Sequence, residues 1–392
     1  MSVSGSQEKK LPVAPLKIIC LQGSGAIAKP VNSSIVKMRK TLGEKDKSLL
    51  SIAGYIEPSY LVDVKLTRYG TGEGKAVISE SVRGADLYII ADVMNYSVTY
   101  KVVGHLNHMS PDNHYQDLKR IISAANGKAH RISVVMPFLY ESRQHKRSGR
   151  ESLDAALALR ELQNYGVSNI ITFDAHDPRV RNATPLRGFD NFMPTYQFLR
   201  ALNKCAPDLD FSSDRFMVIS PDEGAMNRAV YFANVLGADI GMFYKRRDYS
   251  RIVDGKNPIV AHEFLGDSVE GKDCVIIDDM ISSGGSMLDV CSKIKARGAN
   301  RIFICTTFGL FTDGFDKFDR YYEDGLFTKV ITTNLCYRPP ELMKKPYYET
   351  ANMFKYLASI INTLNHDETV QNVKSTTSKI QKVLDRINAE RN

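Results

Sequence analysis

A chain of 392 residues with 43% hydrophobic and 24% charged residues has room for two domains of ordinary size around large cores, which excludes a disordered or low-complexity chain. Its formal charge of +8 is spread along the sequence with no module of interleaved basic and aromatic residues, so anionic small substrates account for it better than nucleic acid. Six cysteines without CxxC spacing, a polar start at Ser2 to Lys10 and no apolar run of membrane-spanning length predict a reducing, cytoplasmic setting and no membrane contact.

Taken in order, residues 17–21 read as a first strand that runs into Gly23, Ser24 and Gly25, with a helix from about Pro30. A turn at 68–75 precedes a possible strand at 76–81, and 84–91 is a turn followed by a buried strand. The stretch 104–114 carries His105, His108 and His114; their spacing, interrupted by Pro111, fits no compact metal-ligand pattern, so hydrogen-bonded loop histidines are the expectation. A helix at 115–125 and a strand at 131–137 follow. Beyond that strand, Arg143, Lys146 and Arg147 with Gln144 and His145 are the residue types that bind a polyphosphate. An amphipathic helix at 152–165 leads to a buried strand at 170–173, and then to Asp174, His176 and Asp177. A histidine among carboxylates at a strand end suits a divalent ion or a structural hydrogen bond equally well. Residues 185–194 read as a connection between domains.

The second half repeats the plan, with a strand at 216–222, a helix at 224–236 and a strand at 240–244. Residues 245–256 are polar, contain Lys245, Arg246, Arg247, Arg251 and Lys256, and read as a mobile loop able to close over a polyphosphate. The most informative stretch is 274–286. Val275 to Ile277 is too short an apolar run for a helix; it ends in Asp278 and Asp279, passes through Ser282, Ser283, Gly284, Gly285 and Ser286, and gives way to helical spacing at Met287, Leu288, Val290, Cys291 and Ile294. Small residues before a helix N-terminus let backbone N–H groups cradle a phosphate. The two carboxylates repel phosphate but accept hydrogen bonds from sugar hydroxyls or hold hydrated Mg²⁺. Together they predict a pocket for a phosphorylated sugar. Strands at 301–306 and 330–335 and a helix at 356–364 complete the globular part, and from Gln371 a weak apolar stripe (Val373, Ile380, Val383, Leu384, Ile387) predicts an exposed or oligomer-contacting helix.

The 274–286 stretch resembles the phosphoribosyl diphosphate (PRPP) signature of type I phosphoribosyltransferases and PRPP synthetases. Ser81 to Gly84, Arg143 with Gln144, Asp174 to His176, Ser220 to Asp222, Lys245 to Arg247 and Asp278 to Ser286 occur in the order of the ribose-phosphate pyrophosphokinase family, so the resemblance spans about Lys17 to Asp367. It implies an α/β fold of two phosphoribosyltransferase-type domains, each a mainly parallel sheet flanked by helices, with an N-terminal extension (1–16), domains at 17–188 and 189–366, and a helical tail (367–392). It further implies homo-oligomers, dimer-based and extending to a hexamer, and transfer of the diphosphoryl group of ATP to the C1 hydroxyl of ribose 5-phosphate with Mg²⁺, for nucleotide biosynthesis. By that resemblance His176 and Asp222 hold the metal, Lys245 and Arg247 are catalytic, and Tyr69, Thr71, Glu73, Arg143, Gln144, His145 and Arg147 bind ATP. Asp278, Asp279, Ser282, Ser283, Gly284, Gly285 and Ser286 bind ribose 5-phosphate. The chain departs from the family pattern where Thr71 and His145 replace acids on the nucleotide side and Ser282 replaces a third acid in the sugar loop, and in the stretch 95–114.

Two other readings share these residues. A PRPP-consuming phosphoribosyltransferase uses the same loop but has no need of Arg143, Gln144, Lys245 and Arg247. A catalytically silent regulatory homologue fits the lost acids but not the retained His176, Asp222, Lys245 and Arg247.

Overall fold

The buried apolar runs become strands because a parallel sheet covered by helices hides both faces of every strand, and such strands need no alternation of polar and apolar residues. The computed structural model describes residues 11–247, 259–374 and 377–389. Two compact units emerge, one of Met1–Met193, Leu335–Tyr337 and Met353–Ser375, the other of Pro194–Asn334, Arg338–Asn352 and Thr376–Asn392. The crossing at 193/194 and the return of the chain to the first unit after 352 both differ from the expected linear order of domains.

The first unit contains β1 (Leu16–Cys20), α1 (Gly25–Lys45), the hairpin β2 (Val64–Arg68) and β3 (Gly74–Ile78), β4 (Asp86–Ile90), the hairpin β5 (Thr99–Val102) and β6 (His105–His108), α2 (Pro111–Ala125), β7 (Arg131–Val135), α3 (Asp154–Asn164), β8 (Asn169–Phe173) and β9 (Gly188–Phe192). Its main sheet has the order β1-β4-β7-β8-β9 with every neighbouring pair parallel. The segment expected as a domain connection therefore holds β9, an edge strand paired with β8. The histidine-bearing stretch is likewise no loop. Residues 99–108 form an antiparallel hairpin whose turn places both Val103 (φ 49°) and Gly104 (φ 81°) in the left-handed region, and α2 starts at Pro111 behind a Ser110 capping box. His108 and His114 make hydrogen bonds to the carbonyls of Tyr96 and Asn95, both at 2.7 Å.

The second unit contains α4 (Thr195–Cys205), β10 (Phe216–Ser220), α5 (Met226–Leu236), β11 (Asp239–Arg247), β12 (Ile259–Leu265), β13 (Asp273–Ile281), α6 (Gly285–Ala296), β14 (Ile302–Gly309), α7 (Asp316–Glu323), β15 (Lys329–Thr333) and β16 (Tyr348–Ala351). The seven-stranded sheet runs β12-β11-β10-β13-β14-β15-β16, parallel except where β11 meets β12. From β10 the chain winds through α5 to β11 on one side, and from β13 through α6 to β14 on the other. The winding thus reverses between neighbours β10 and β13, and beyond the carboxyl ends of two such strands no connection covers the sheet. Phe216, Val218, Val275, Ile277, Phe303 and Ile331 join α4 and α5 residues in one core on one face, while Met217, Ile219, Ile276 and Ile304 join α6 residues on the other.

After the second unit come α8 (Phe354–Asn365) and α9 (Gln371–Lys374) in the first unit and α10 (Thr377–Ala389) in the second. The expected exposed or oligomer-contacting tail instead packs on its own chain, with Ile380 and Leu384 of α10 buried in the core beside α4 and α5. In the first unit a polar network fixes α8. Arg131 holds fully buried Asp86 with two hydrogen bonds (2.8 and 2.7 Å), Asn365 donates to the same carboxylate (2.9 Å), and Arg131 also reaches the Leu364 carbonyl (2.8 Å). Asp86→Ala would leave the Arg131 guanidinium without its buried counter-charge, and a loss of about 3 kcal/mol is expected. Thermal unfolding should show it as a fall of about 6 °C or more in Tm; an unchanged Tm would mean the network does not fix α8.

Candidate functional site

In the second unit, the site grows from the carboxyl ends of β10 and β13. β13 is longer than its apolar run suggests and continues through Asp278 and Asp279 to Ile281, because Asp278, Met280 and Ile281 still pair with β14. The two carboxylates are polar extensions of a core strand, Asp279 buried and Asp278 half-buried, and among the described residues one cation reaches both. Arg228, on the buried face of α5, donates to Asp278 Oδ1 at 3.2 Å and lies 3.9 Å from Asp279 Oδ2. The Asp279 backbone N–H also donates to Asp278 Oδ1 at 2.8 Å. Burial and the adjacent Asp279 carboxylate push Asp278 well above the ordinary carboxylate range, against the opposing pull of Arg228.

Past Ile281 the chain turns through Ser282, Ser283 and Gly284 into α6. Thr312 N donates to the Ser282 carbonyl (3.0 Å) and Leu310 N to the Ile281 carbonyl (2.8 Å), so the loop rests on the segment after β14. Gly284 is the helix N-cap, with φ 81° and no side chain to cap the first turn. A Cβ there would lie 2.4 Å from the Phe318 ring, so the close packing of loop on α7 requires glycine. Gly285 and Ser286 are exposed, and the first-turn amides of α6 receive no side-chain cap, which leaves a helix N-terminus able to take an anion. Asp222, just beyond β10, accepts from the amides of Gly224 (3.0 Å) and Ala225 (3.3 Å) through Oδ1 and thereby fixes the entry to α5, the helix that carries Arg228. Lys245 and Arg247 stand on β11 opposite His262 and Ile259, but their side chains, like residues 248–256 of the expected mobile loop, lie outside the described residues.

In the first unit, the carboxyl ends of β7 and β8 bring a second group together. Tyr140 roots the loop after β7: its ring stacks on Tyr115 (4.3 Å, 7°) and its hydroxyl donates to Asp112 at 2.7 Å. Arg143, Gln144 and Arg147 project from that loop and are exposed. His145 turns back. Its Nδ1 donates to the Ser142 carbonyl (3.1 Å), and its Nε2 faces the Asp177 carboxylate at 3.3 Å. His176 lies beside it, with ring centroids 5.5 Å apart. Hydrogen bonds from Arg179 hold the Asp177 carboxyl down at about 2, with burial opposing them. Asp174, at the end of β8, is buried with φ 42° and donates its N–H to the Phe192 carbonyl (2.9 Å).

The remaining residues expected to bind ATP sit elsewhere in that unit. Tyr69, Thr71 and Glu73 form the exposed turn between β2 and β3, where Thr71 Oγ1 donates to Glu73 Oε2 (2.9 Å) and Val103 N donates to the Gly70 carbonyl (2.9 Å). Among the described residues no group of three or more His, Cys, Asp or Glu side chains could hold a metal on its own. Arg228 is the functional candidate that sequence reasoning missed. The signal was available: it shares the buried face of α5 with Ala229, Phe232, Ala233 and Leu236, a place where arginine stays only with a partner.

The model for the N-terminal domain of ribose phosphate pyrophosphokinase matches residues 16–166, and that for the phosphoribosyl transferase domain matches residues 190–334. Ribose-phosphate pyrophosphokinase A of Dictyostelium discoideum is 26% identical over 316 residues, 79% of this chain and 89% of the relative. Ribose-phosphate pyrophosphokinase of Vibrio parahaemolyticus is 29% identical over 318 residues, 79% of this chain and 90% of the relative. The crystal structure of phosphoribosylpyrophosphate synthetase from Mycobacterium smegmatis superimposes with a TM-score of 0.68 over 90% of this chain and 99% of that chain, at 19% identity, a likeness of fold.

The raised Asp278 has a consequence for stability. A carboxyl whose folded pKa exceeds its unfolded one binds an extra proton in the folded state, so its contribution is lost as pH climbs from about 4 through the folded value. Asp278→Asn removes the charged form, and its Tm should exceed the parent's by a few degrees at pH 8, with the difference closing towards pH 5. Coincident Tm–pH curves would contradict the raised value.

Proposed function

This chain belongs to the ribose-phosphate pyrophosphokinase family, and on that premise we propose that it transfers the diphosphoryl group of ATP to the C1 hydroxyl of ribose 5-phosphate, giving PRPP and AMP. The observation that carries the reading is the end of β13: two carboxylates under one arginine, followed directly by the uncapped N-terminus of α6. In this reading the amides of Ser283 to Ser286 hold the 5-phosphate, and Asp278 and Asp279 accept from the ribose hydroxyls, which orients the C1 oxygen. Arg228 keeps both carboxylates in place before the sugar arrives.

The C1 oxygen attacks the β-phosphorus in line, so catalysis rests on holding two anionic substrates and offsetting the charge that develops. Arg143, Gln144, His145 and Arg147, with Tyr69, Thr71 and Glu73, are assigned to ATP; Lys245 and Arg247 are assigned to the transition state. The family's reaction implies a metal, here read as Mg²⁺, for which His176 and Asp222 are the proposed ligands. Mg²⁺ held by either residue would offset phosphate charge, and a lone imidazole or carboxylate suits an ion that takes most of its ligands from water and substrate. Homo-oligomers built from dimers fit the family reading, and six free cysteines fit a reducing cytoplasm. No helix among the described residues is long and apolar enough to cross a membrane.

Purified protein with ATP, Mg²⁺ and ribose 5-phosphate should release AMP and PRPP in equal amounts; binding of both substrates without turnover would favour the silent homologue. Lys245→Ala and Arg247→Ala should each lower kcat at least about tenfold while KM changes little, because cations that engage mainly the transition state stabilise it differentially. An unchanged kcat would remove both from the mechanism.

Base selectivity should be relaxed. The Thr71 hydroxyl already donates to Glu73, and both ring nitrogens of His145 face protein groups, so the substitutions supply no carboxylate for an adenine amine. Competition between ATP and GTP should give a kcat/KM ratio below the roughly 10⁴ that buried polar recognition achieves. A ratio at or above that order would show that backbone groups select the base.

A further inference from the structure

A cleft of about 510 Å³ lies in the second unit between α4, the edge strand β16 and α10, lined chiefly by Gln197, Arg200, Lys204, Glu349, Thr350 and Asn352. The residues assigned above to ribose 5-phosphate do not line it, and Val383 of α10 closes one side. The residues matched by the family models end at 334, so both β16 and α10 lie outside them.

Three features give the cleft a chemistry. First, Gln197 is only 8% exposed, yet its side-chain Oε1 is buried without a hydrogen-bond partner among the described residues. A buried amide end without a partner costs free energy, and turning it towards the cleft would let a ligand hydroxyl, donor and acceptor at once, satisfy it. Second, the charges do not balance. Lys204 Nζ holds both oxygens of Glu349 at 3.0 Å, whereas exposed Arg200 stacks on Tyr196 (6.0 Å) and makes no ion pair among the described residues. Its guanidinium is open to a phosphate. Third, no aromatic ring among the described residues lines the cleft, which leaves a nucleobase nothing there to stack on, while Glu349, Thr350 and the amide side chains are the groups that polyols need. The volume lies within the range of small-molecule sites.

We propose that this cleft is a second, non-catalytic site for a sugar phosphate, its phosphate on Arg200 and its hydroxyls on Gln197 and Glu349. Because α10 forms one wall, occupancy also ties the C-terminal helix to α4 and β16.

Titration calorimetry of the full chain with ribose 5-phosphate, without ATP, tests it. Two sites per chain are expected. Arg200→Ala should weaken one of them by about ten- to a hundredfold, the range for loss of a charge-assisted bond, and leave the other unchanged. Arg200 is exposed, so the variant should keep the parent's Tm, and turnover at saturating substrates should stay within about twofold. Gln197→Leu should weaken the same site. Ribose alone and inorganic phosphate alone should each bind that site at least about tenfold more weakly than ribose 5-phosphate. A single site indifferent to Arg200→Ala overturns the proposal and leaves the β13 loop reading standing. A single site abolished by Arg200→Ala supports the cleft and overturns the loop reading. Inorganic phosphate binding as well as the sugar phosphate overturns the proposal, since the hydroxyl contacts then contribute nothing.

Discussion

The reversal of winding between β10 and β13 is the constraint on which the candidate site depends. A parallel sheet buries its strands under crossover helices, and only where successive crossovers leave in opposite directions does a gap remain at the strand ends. Asp222 follows one of those strands and Asp278 to Gly284 end the other, so the polar chemistry of this unit is concentrated where the fold cannot cover it. In the first unit the sheet runs β1-β4-β7-β8-β9, and Ile18 of β1 also makes a parallel bridge to Leu61. The polar groups of that unit gather on the loops that leave β7 and β8.

Placing two carboxylates, Asp279 buried and Asp278 half-buried, side by side at a strand end is unfavourable for the fold, and the surroundings reduce the cost only in part. Arg228 reaches both, yet the carboxylates are adjacent in sequence and Asp278 still ends with its proton held too tightly. In the proposed reading the two carboxylates are acceptors for sugar hydroxyls, and such donors would relieve this tension. Gly284 belongs to the same economy of space: its left-handed φ and the Phe318 ring above it bring the backbone to the helix N-terminus with no side chain in the way.

The strands that carry the site were legible because each is covered on both faces and so reads as an unbroken apolar run, as at 216–220 and 275–277. The edges were not. β9, with Gly188, Asp190 and Asn191 in five residues, and β16, with only four residues, each pair on one side and lack β-branched runs. The β5–β6 hairpin was hidden because its turn uses Val103 at positive φ where an asparagine–glycine pair would have announced it. Of the site, the motif residues could be named from the sequence, whereas Arg228, the cation that reaches Asp278 and Asp279, is fifty residues from Asp278 in the chain and joins it through the β10–β13 adjacency. The packing of the tail was illegible for a related reason: a weak stripe does not say which surface it covers, here α4 and α5 of the same unit.

The central claim is that the amides after β13 hold the phosphate of a sugar whose hydroxyls lie on Asp278 and Asp279. Hydrogen–deuterium exchange at Ser283 to Leu288, with saturating ribose 5-phosphate or with ribose, tests it most directly. The account predicts slowed exchange of these amides with ribose 5-phosphate and little change with ribose. Saturation of the protein by ribose 5-phosphate with unaltered exchange across this loop would contradict it.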